Sequence, residues 1–276
     1  MNKIKRSVFA ALVVAGGLSA VTYAGAAQDS AALSSAQTGN GSFYIAKNFS
    51  DLAMLPGFSM GAPVGLVPSW GVVFGGISGA TNPTGSSTNT DGAISSGFGF
   101  GDANKNIGGA LTLGIGSINP TDGGEFNRGY AGLSMGHFFV KSLTGVSVGI
   151  QNIGGWTAGG DMPDKSYDAA VTQLLPNNFM PVVVTAGLGN NLYAFERSTR
   201  PATTSVAPFG AVAVYVLPQV SLIADYTSGV TTLGTSIVPI AKLPIVVSLG
   251  ARDIFKYEEG RTKISFIGSV GYAYTF

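Results

Sequence analysis

The stretch whose reading decides the fold is Lys263-Ile264-Ser265-Phe266-Ile267-Gly268-Ser269-Val270-Gly271-Tyr272-Ala273-Tyr274-Thr275-Phe276. In steps of two from its end it gives Phe276, Tyr274, Tyr272, Val270, Gly268, Phe266 and Ile264. The positions between are Thr275, Ala273, Gly271, Ser269, Ile267, Ser265 and Lys263. Successive side chains of a strand point to opposite faces, so one face here is aromatic or apolar and the other mostly small or polar. A soluble strand would turn the aromatic face into a protein core. The length of this one, and the tyrosines gathered near its end, fit a strand that crosses a membrane with those tyrosines in an interfacial girdle.

The same period-two pattern recurs upstream and predicts an all-β chain of twelve strands: residues 69–80, 93–101, 109–117, 130–139, 145–152, 167–174, 182–190, 209–216, 220–227, 232–239, 245–253 and 263–276. Ile94, Ser96, Phe98 and Phe100 oppose Ser95, Gly97, Gly99 and Gly101, and Val220, Leu222, Ala224 and Tyr226 oppose Ser221, Ile223, Asp225 and Thr227. The strand around residues 211–216 is apolar on both faces, which leaves its orientation open. Long polar links follow the odd strands (81–92, 119–129, 154–166, 191–208) and short ones the even strands (102–108, 140–144, 175–181, 217–219). Transmembrane barrels have short periplasmic turns and long outer loops. The expectation is therefore an antiparallel up-and-down barrel over residues 69–276 with both termini in the periplasm. The short link at 228–231 breaks the rule. Ten strands is the runner-up, if 167–174 is loop and another weak strand drops out. An unpaired edge cannot sit in hydrocarbon, so such a sheet must close.

Upstream, Lys3, Lys5 and Arg6, an apolar run over 8–18 and Ala24-Gly25-Ala26 read as a signal peptide over 1–26, cleaved near Ala26. Residues 27–41 have the composition of a flexible linker. Residues 42–68, broken by Pro56-Gly57 and Pro63, make an N-terminal segment that is either a plug or a periplasmic cap. No later stretch reaches the ~20 apolar residues of a membrane helix. With 11% charged residues and a net charge of +1, the chain lacks the basic surface that neutralises phosphates, which argues against a nucleic-acid partner. With 0 Cys, neither disulfides nor thiolate metal sites are available.

The alternate apolar residues leading to Phe276 resemble the C-terminal signature of bacterial outer-membrane β-barrels, which implies outer-membrane lipid and the barrel-assembly machinery as partners, with Phe276, Tyr274 and Tyr272 carrying the assembly signal. The runs Trp70-Gly71-Val72-Val73-Phe74, Gly97-Phe98-Gly99-Phe100-Gly101-Asp102 and Leu222-Ile223-Ala224-Asp225-Tyr226 are also similar to an uncharacterised family of glycine-rich barrels, a resemblance that supports the strand count and implies no activity.

The inward-facing set is mostly Gly, Ser, Thr and Ala. Parity turns Asp225 and Arg252 inward along with Thr185 and Ser248, and these four are the candidate lining of a lumen. Asp225 and Arg252 read either as a polar constriction or as part of an ion-pair network that stiffens the wall. Twelve strands lined by glycine leave internal space unless 42–68 fills it. An enzyme would need a nucleophile beside a base. The lone His137 shares parity with Leu133 and Met135 on the lipid side, and Ser147 meets it only in a favourable register, so catalysis is not expected. Asp161, Asp164 and Asp168 read as solvated loop charge, and no metal or cofactor is expected. The mixed charges at Glu196, Arg197 and Arg200 and at Lys256, Glu258, Glu259 and Arg261 also read as solvated. The leading functional expectation is a small passive pore or conduit for small solutes. The alternative is a structural or surface-interaction barrel with a plugged lumen, acting through its outer loops. A secreted β-sandwich is the third possibility.

Overall fold

The computed structural model describes residues 55–84, 87–116, 126, 128–157, 164–175, 180–194, 206–256 and 263–276. The expected leader and linker, and residues 42–54 of the N-terminal segment, lie outside them. Twelve antiparallel strands form one closed barrel in which each strand pairs with its sequence neighbours and the first pairs with the last. They are β1 (Val72–Thr84), β2 (Ser87–Gly101), β3 (Gly108–Gly116), β4 (Arg128–Phe139), β5 (Thr144–Thr157), β6 (Ser166–Leu175), β7 (Val182–Gly189), β8 (Ala207–Leu217), β9 (Val220–Thr227), β10 (Val230–Ile237), β11 (Ile245–Arg252) and β12 (Ser265–Thr275). The ten-strand reading falls because β6 is paired along its length to both β5 and β7.

Closure runs from Val72↔Thr275 to Ala80↔Ile267. At the seam's foot the Phe276 N–H donates to the Gly71 carbonyl at 2.9 Å, and the Trp70 and Phe276 rings meet edge to face at 6.4 Å. This leaves no sheet edge to demand hydrogen bonds from lipid. No helix among the described residues is long and apolar enough to cross a membrane.

The side-chain alternation follows from that closure. On β12, Phe266, Val270, Tyr272, Tyr274 and Phe276 are exposed on the outside, whereas Ser265, Ile267, Gly271 and Ala273 are buried within. On β8, whose sequence reads the same on both faces, Ala207, Phe209, Ala211, Ala213 and Tyr215 point inward and Val212 and Val216 outward. The Tyr215 hydroxyl decides the matter physically: inside, it reaches the Pro56 carbonyl at 3.0 Å, and outside it would have faced hydrocarbon. Glycines on the inner wall make room for rings on the neighbouring strand, since a Cβ on Gly97, Gly114 or Gly187 would run into Phe74, Tyr130 or Phe209.

Parts of two expected loops are strand instead. Residues 81–84 and 87–92 continue the β1–β2 hairpin through Thr84↔Ser87. The fifth strand runs on to Thr157, paired to Arg128, after the ladder skips Asn152 and Ile153; Asn152 takes a positive φ of 59° there. Both extensions are polar or glycine-rich, and cross-strand pairing rather than hydrophobic alternation holds them, so a period-two reading does not detect them.

The outward apolar face sets an expected outcome. Leu249, mid-strand on β11 and 56% exposed, replaced by Arg should lower the stability of barrel refolded in lipid vesicles by about 2–4 kcal/mol, with Tyr274→Arg near the strand end costing at most ~1 kcal/mol. Urea unfolding midpoints in the same vesicles measure both.

Candidate functional site

The interior is not empty. Residues 55–68 carry no regular secondary structure and lie inside the barrel, with Phe58, Met60, Leu66 and Val67 at or below 2% exposure. Leu55, Phe58, Met60, Val64 and Leu66 share one apolar cluster with the inward residues Phe138, Leu174, Val183, Ala213, Tyr215, Ile223 and Ile267. The path is re-entrant. Near the short-turn end the Gly57 N–H donates to Ser236 Oγ at 2.7 Å, and Ser221 Oγ donates back to the Gly57 carbonyl. The chain then climbs to a tip at residues 59–62 beside Asp225. It returns past Ser147, which donates to the Val64 carbonyl at 2.8 Å, and Thr172, which accepts from the Gly65 N–H at 2.8 Å. It leaves beside the β2–β3 turn, where Ser69 Oγ accepts from the Ala103 N–H at 2.9 Å, and enters β1.

The tip is gripped by one carboxylate. Asp225 Oδ2 accepts from Ser59 Oγ at 2.8 Å and from the backbone N–H groups of Met60, Gly61 and Ala62 at 2.9, 3.0 and 2.9 Å. Thr227 Oγ1 donates to the other oxygen at 2.8 Å, and Ser59 Oγ also reaches the Ala62 carbonyl at 2.7 Å. Consecutive N–H groups turned to one point make an anion-binding concavity, and here the anion is a wall residue. The arrangement satisfies a carboxylate that is only 3% exposed, with no ion pair to it among the described residues.

Asp225 and Arg252 both face Thr232, one from each side of β10. They form no ion pair with each other among the described residues; Arg252 is 6% exposed and engaged elsewhere. Thr185 shares a 2.8 Å hydrogen bond with Thr172, and Ser248 donates to Ser236 at 2.8 Å, so both stand behind the residues that hold the segment. The residues that sequence reasoning missed are Thr172, Ser147, Ser221, Ser236 and Tyr215. The inward parity of the first four was readable and that of Tyr215 was not, and nothing in the sequence showed that a returning backbone would need them.

From the long-loop end a second piece folds in. The 3-10 turn Asn191–Tyr193 buries Leu192 and Tyr193 against Ala62, Phe209 and Ala211. Ser228 Oγ donates to the Leu192 carbonyl at 2.6 Å, and the Leu192 N–H donates to Ser166 Oγ at 3.1 Å. Asp168, expected in a solvated loop, belongs to β6 and faces the interior, where the Tyr193 hydroxyl hydrogen-bonds to it. Asp164 is exposed, while Asp161, Glu196, Arg197, Arg200, Glu258, Glu259 and Arg261 lie outside the described residues. His137 stands opposite Val146 and Ser147 opposite Gly136, so the two occupy opposite faces of the wall. The His137 ring contacts the Asn106 carbonyl and the Phe139 ring instead. Phe276, Tyr274 and Tyr272 are exposed on the outer face.

No family model and no curated protein matches the chain, so the resemblance to glycine-rich barrels rests on its motifs alone. Among solved structures, the crystal structure of the COG4313 outer membrane channel from Pseudomonas putida F1 is similar at a TM-score of 0.46 and 11% identity, covering 75% of this chain and 96% of that one. A likeness that distant adds nothing to the barrel already described.

The grip on the segment can be loosened at two points. A Cβ on Gly65 would enter the Gly145 carbonyl, whereas one on Gly61 would meet Asp225 Oδ1 at an ordinary 3.6 Å. Gly65→Val should therefore expose residues 55–68 to protease in detergent micelles, and Gly61→Ala should not. Asp225→Ala strands the buried N–H groups of Met60 and Ala62 at about 1–3 kcal/mol each and should expose the segment as Gly65→Val does, with Asp225→Asn intermediate because a neutral acceptor replaces a charged one.

Proposed function

We propose that the chain is an outer-membrane conduit for small solutes, exported by its N-terminal leader and held shut at rest by residues 55–68 acting as a plug. The observation that carries this reading is the match between plug and wall. The polar groups that would line an aqueous path, Asp225, Ser221, Ser236, Ser147 and Thr172, are bonded to the segment's backbone. A wall evolved only to be a rigid solid would be served as well by apolar side chains filling the barrel, and burying such polar groups costs free energy unless each finds a partner. A polar wall with a polar-backboned occupant is what a path that is closed and reopened requires. The apolar outer belt and the closed ladder support a membrane site.

The alternative, a permanently plugged barrel that acts through its outer loops, shares the closed state and differs in whether it ever opens. Planar bilayers separate the two. Wild-type protein is expected to give no conductance steps or only rare ones, and Gly65→Val and Asp225→Ala, folded by far-UV circular dichroism, are expected to give frequent steps of uniform size. Silent membranes with both variants would leave the loop-acting barrel as the better reading.

A further inference from the structure

The apolar outer face does not stop where the strands stop. At the short-turn end, Ile107 in the β2–β3 turn, Val140 in the β4–β5 turn, and Ile240 and Leu243 in the β10–β11 turn are all exposed. Trp70 and Phe276 join them at the seam, 70% and 71% exposed. A single exposed apolar side chain is ordinary, but a ring of them around one rim marks a surface that meets something. Turns with this profile rest in a membrane interface rather than in open water.

The same three turns each carry one lysine. Lys105, Lys141 and Lys242 are all exposed, and each lies within three residues of an exposed apolar side chain. One acid stands against them: Asp102 pairs with Lys105 Nζ at 3.1 Å, in a contact that leaves the lysine side chain 80% exposed. Lys141 and Lys242 form no ion pair among the described residues. The two remaining short links, over 175–181 and 217–219, contain no charged residue. Three positive charges therefore face one negative on this rim. The long links at the other end mix both signs, as at Asp164 and Lys165 or at Glu196 and Arg197.

We infer that the short-turn rim binds the headgroups of an anionic phospholipid of the phosphatidylglycerol type. The inference rests on the membrane site argued above and is independent of whether the barrel conducts. A lysine beside apolar residues lays its methylenes along them and holds its ammonium group at headgroup level. There it attracts anionic lipid, and it binds a phosphate as a point charge, with no demand for a shaped pocket. Three lysines on separate turns do not converge on one small anion, but a leaflet offers a phosphate to each of them. An aqueous polyanion such as peptidoglycan would answer the lysines and leave Ile107, Val140, Ile240 and Leu243 in water.

The chain carries its own reporters, since Trp70 stands at this end and Trp156 at the other. The Trp70 N–H donates to the Gly101 carbonyl beside the Lys105 turn, and on the last strand the Ala273 N–H donates to the Pro244 carbonyl beside the Lys242 turn. The full chain is refolded into vesicles of about one part phosphatidylglycerol to three of phosphatidylcholine, with brominated acyl chains on the phosphatidylglycerol or on an equal amount of the phosphatidylcholine. In Trp156→Phe, brominated phosphatidylglycerol is expected to quench Trp70 about two-fold more strongly than brominated phosphatidylcholine does. Replacing Lys105, Lys141 and Lys242 together by Gln should remove that preference, as should ~1 M salt, which shortens the screening length to about 3 Å. All three lysines are exposed, so the change leaves the packing intact. In Trp70→Phe, Trp156 should show no preference. Equal quenching of Trp70 by the two lipids, a preference that survives the triple substitution, or the same preference at Trp156 overturns the inference. Absence of quenching by either lipid overturns the membrane site itself and gives the rim to an aqueous partner.

Discussion

A peptide segment without helix or strand carries every backbone N–H and C=O unpaired, and inside a barrel it can leave none of them so. That constraint organises the interior. Ser236 and Ser221 answer Gly57, Tyr215 answers Pro56, Asp225 answers the tip, and Ser147 and Thr172 answer Val64 and Gly65. The inward hydroxyls of five strands are thus the partners that a sheet would otherwise have supplied. Apolar contacts complete the fit, since Phe58, Met60 and Leu66 fill the space between them. The hydrogen bonds set where the segment lies, and burial of its apolar side chains supplies most of the driving force.

The outer surface obeys the opposite rule. Closure pairs each strand on both sides, so the side chains meet the surroundings, and Leu222, Leu249, Val171 and Phe266 do so on four different strands. The two faces are coupled through parity: outward Leu113, Leu188, Leu233 and Leu249 are followed by inward Gly114, Gly189, Gly234 and Gly250. A barrel whose outside suits hydrocarbon therefore comes with an inside free to be polar. Asp225 lies between the exposed Ala224 and the half-buried Tyr226 in just this way.

Glycine serves both faces through close approach. Gly65 and Gly145 let the segment's backbone touch the wall's backbone, because a Cβ on either would overlap the other's carbonyl. Gly149 and Gly132 let Asp168 and Gln151 lie flat on the wall, as Gly97, Gly114 and Gly187 do for aromatic rings. A chain with 41 glycines can consequently pack a second layer inside twelve strands without widening the barrel.

The sequence by itself determined the class of fold, the number of strands and, for most of them, which face is which, because lipid outside and small residues inside impose a period of two that survives in single residues. It failed on β8, where alanine and valine alternate without contrast, and on the β1–β2 extension, where pairing alone holds polar residues in strand. It left the fate of residues 55–68 open between two places. Only the tertiary structure decided that the segment enters the barrel, that Asp225 binds its backbone rather than Arg252, and that Asp168 stands inside. Those facts depend on register and on contacts between residues more than a hundred positions apart, such as Gly57 with Ser236. Local alternation records which face a residue takes and carries no information about what arrives to meet it there.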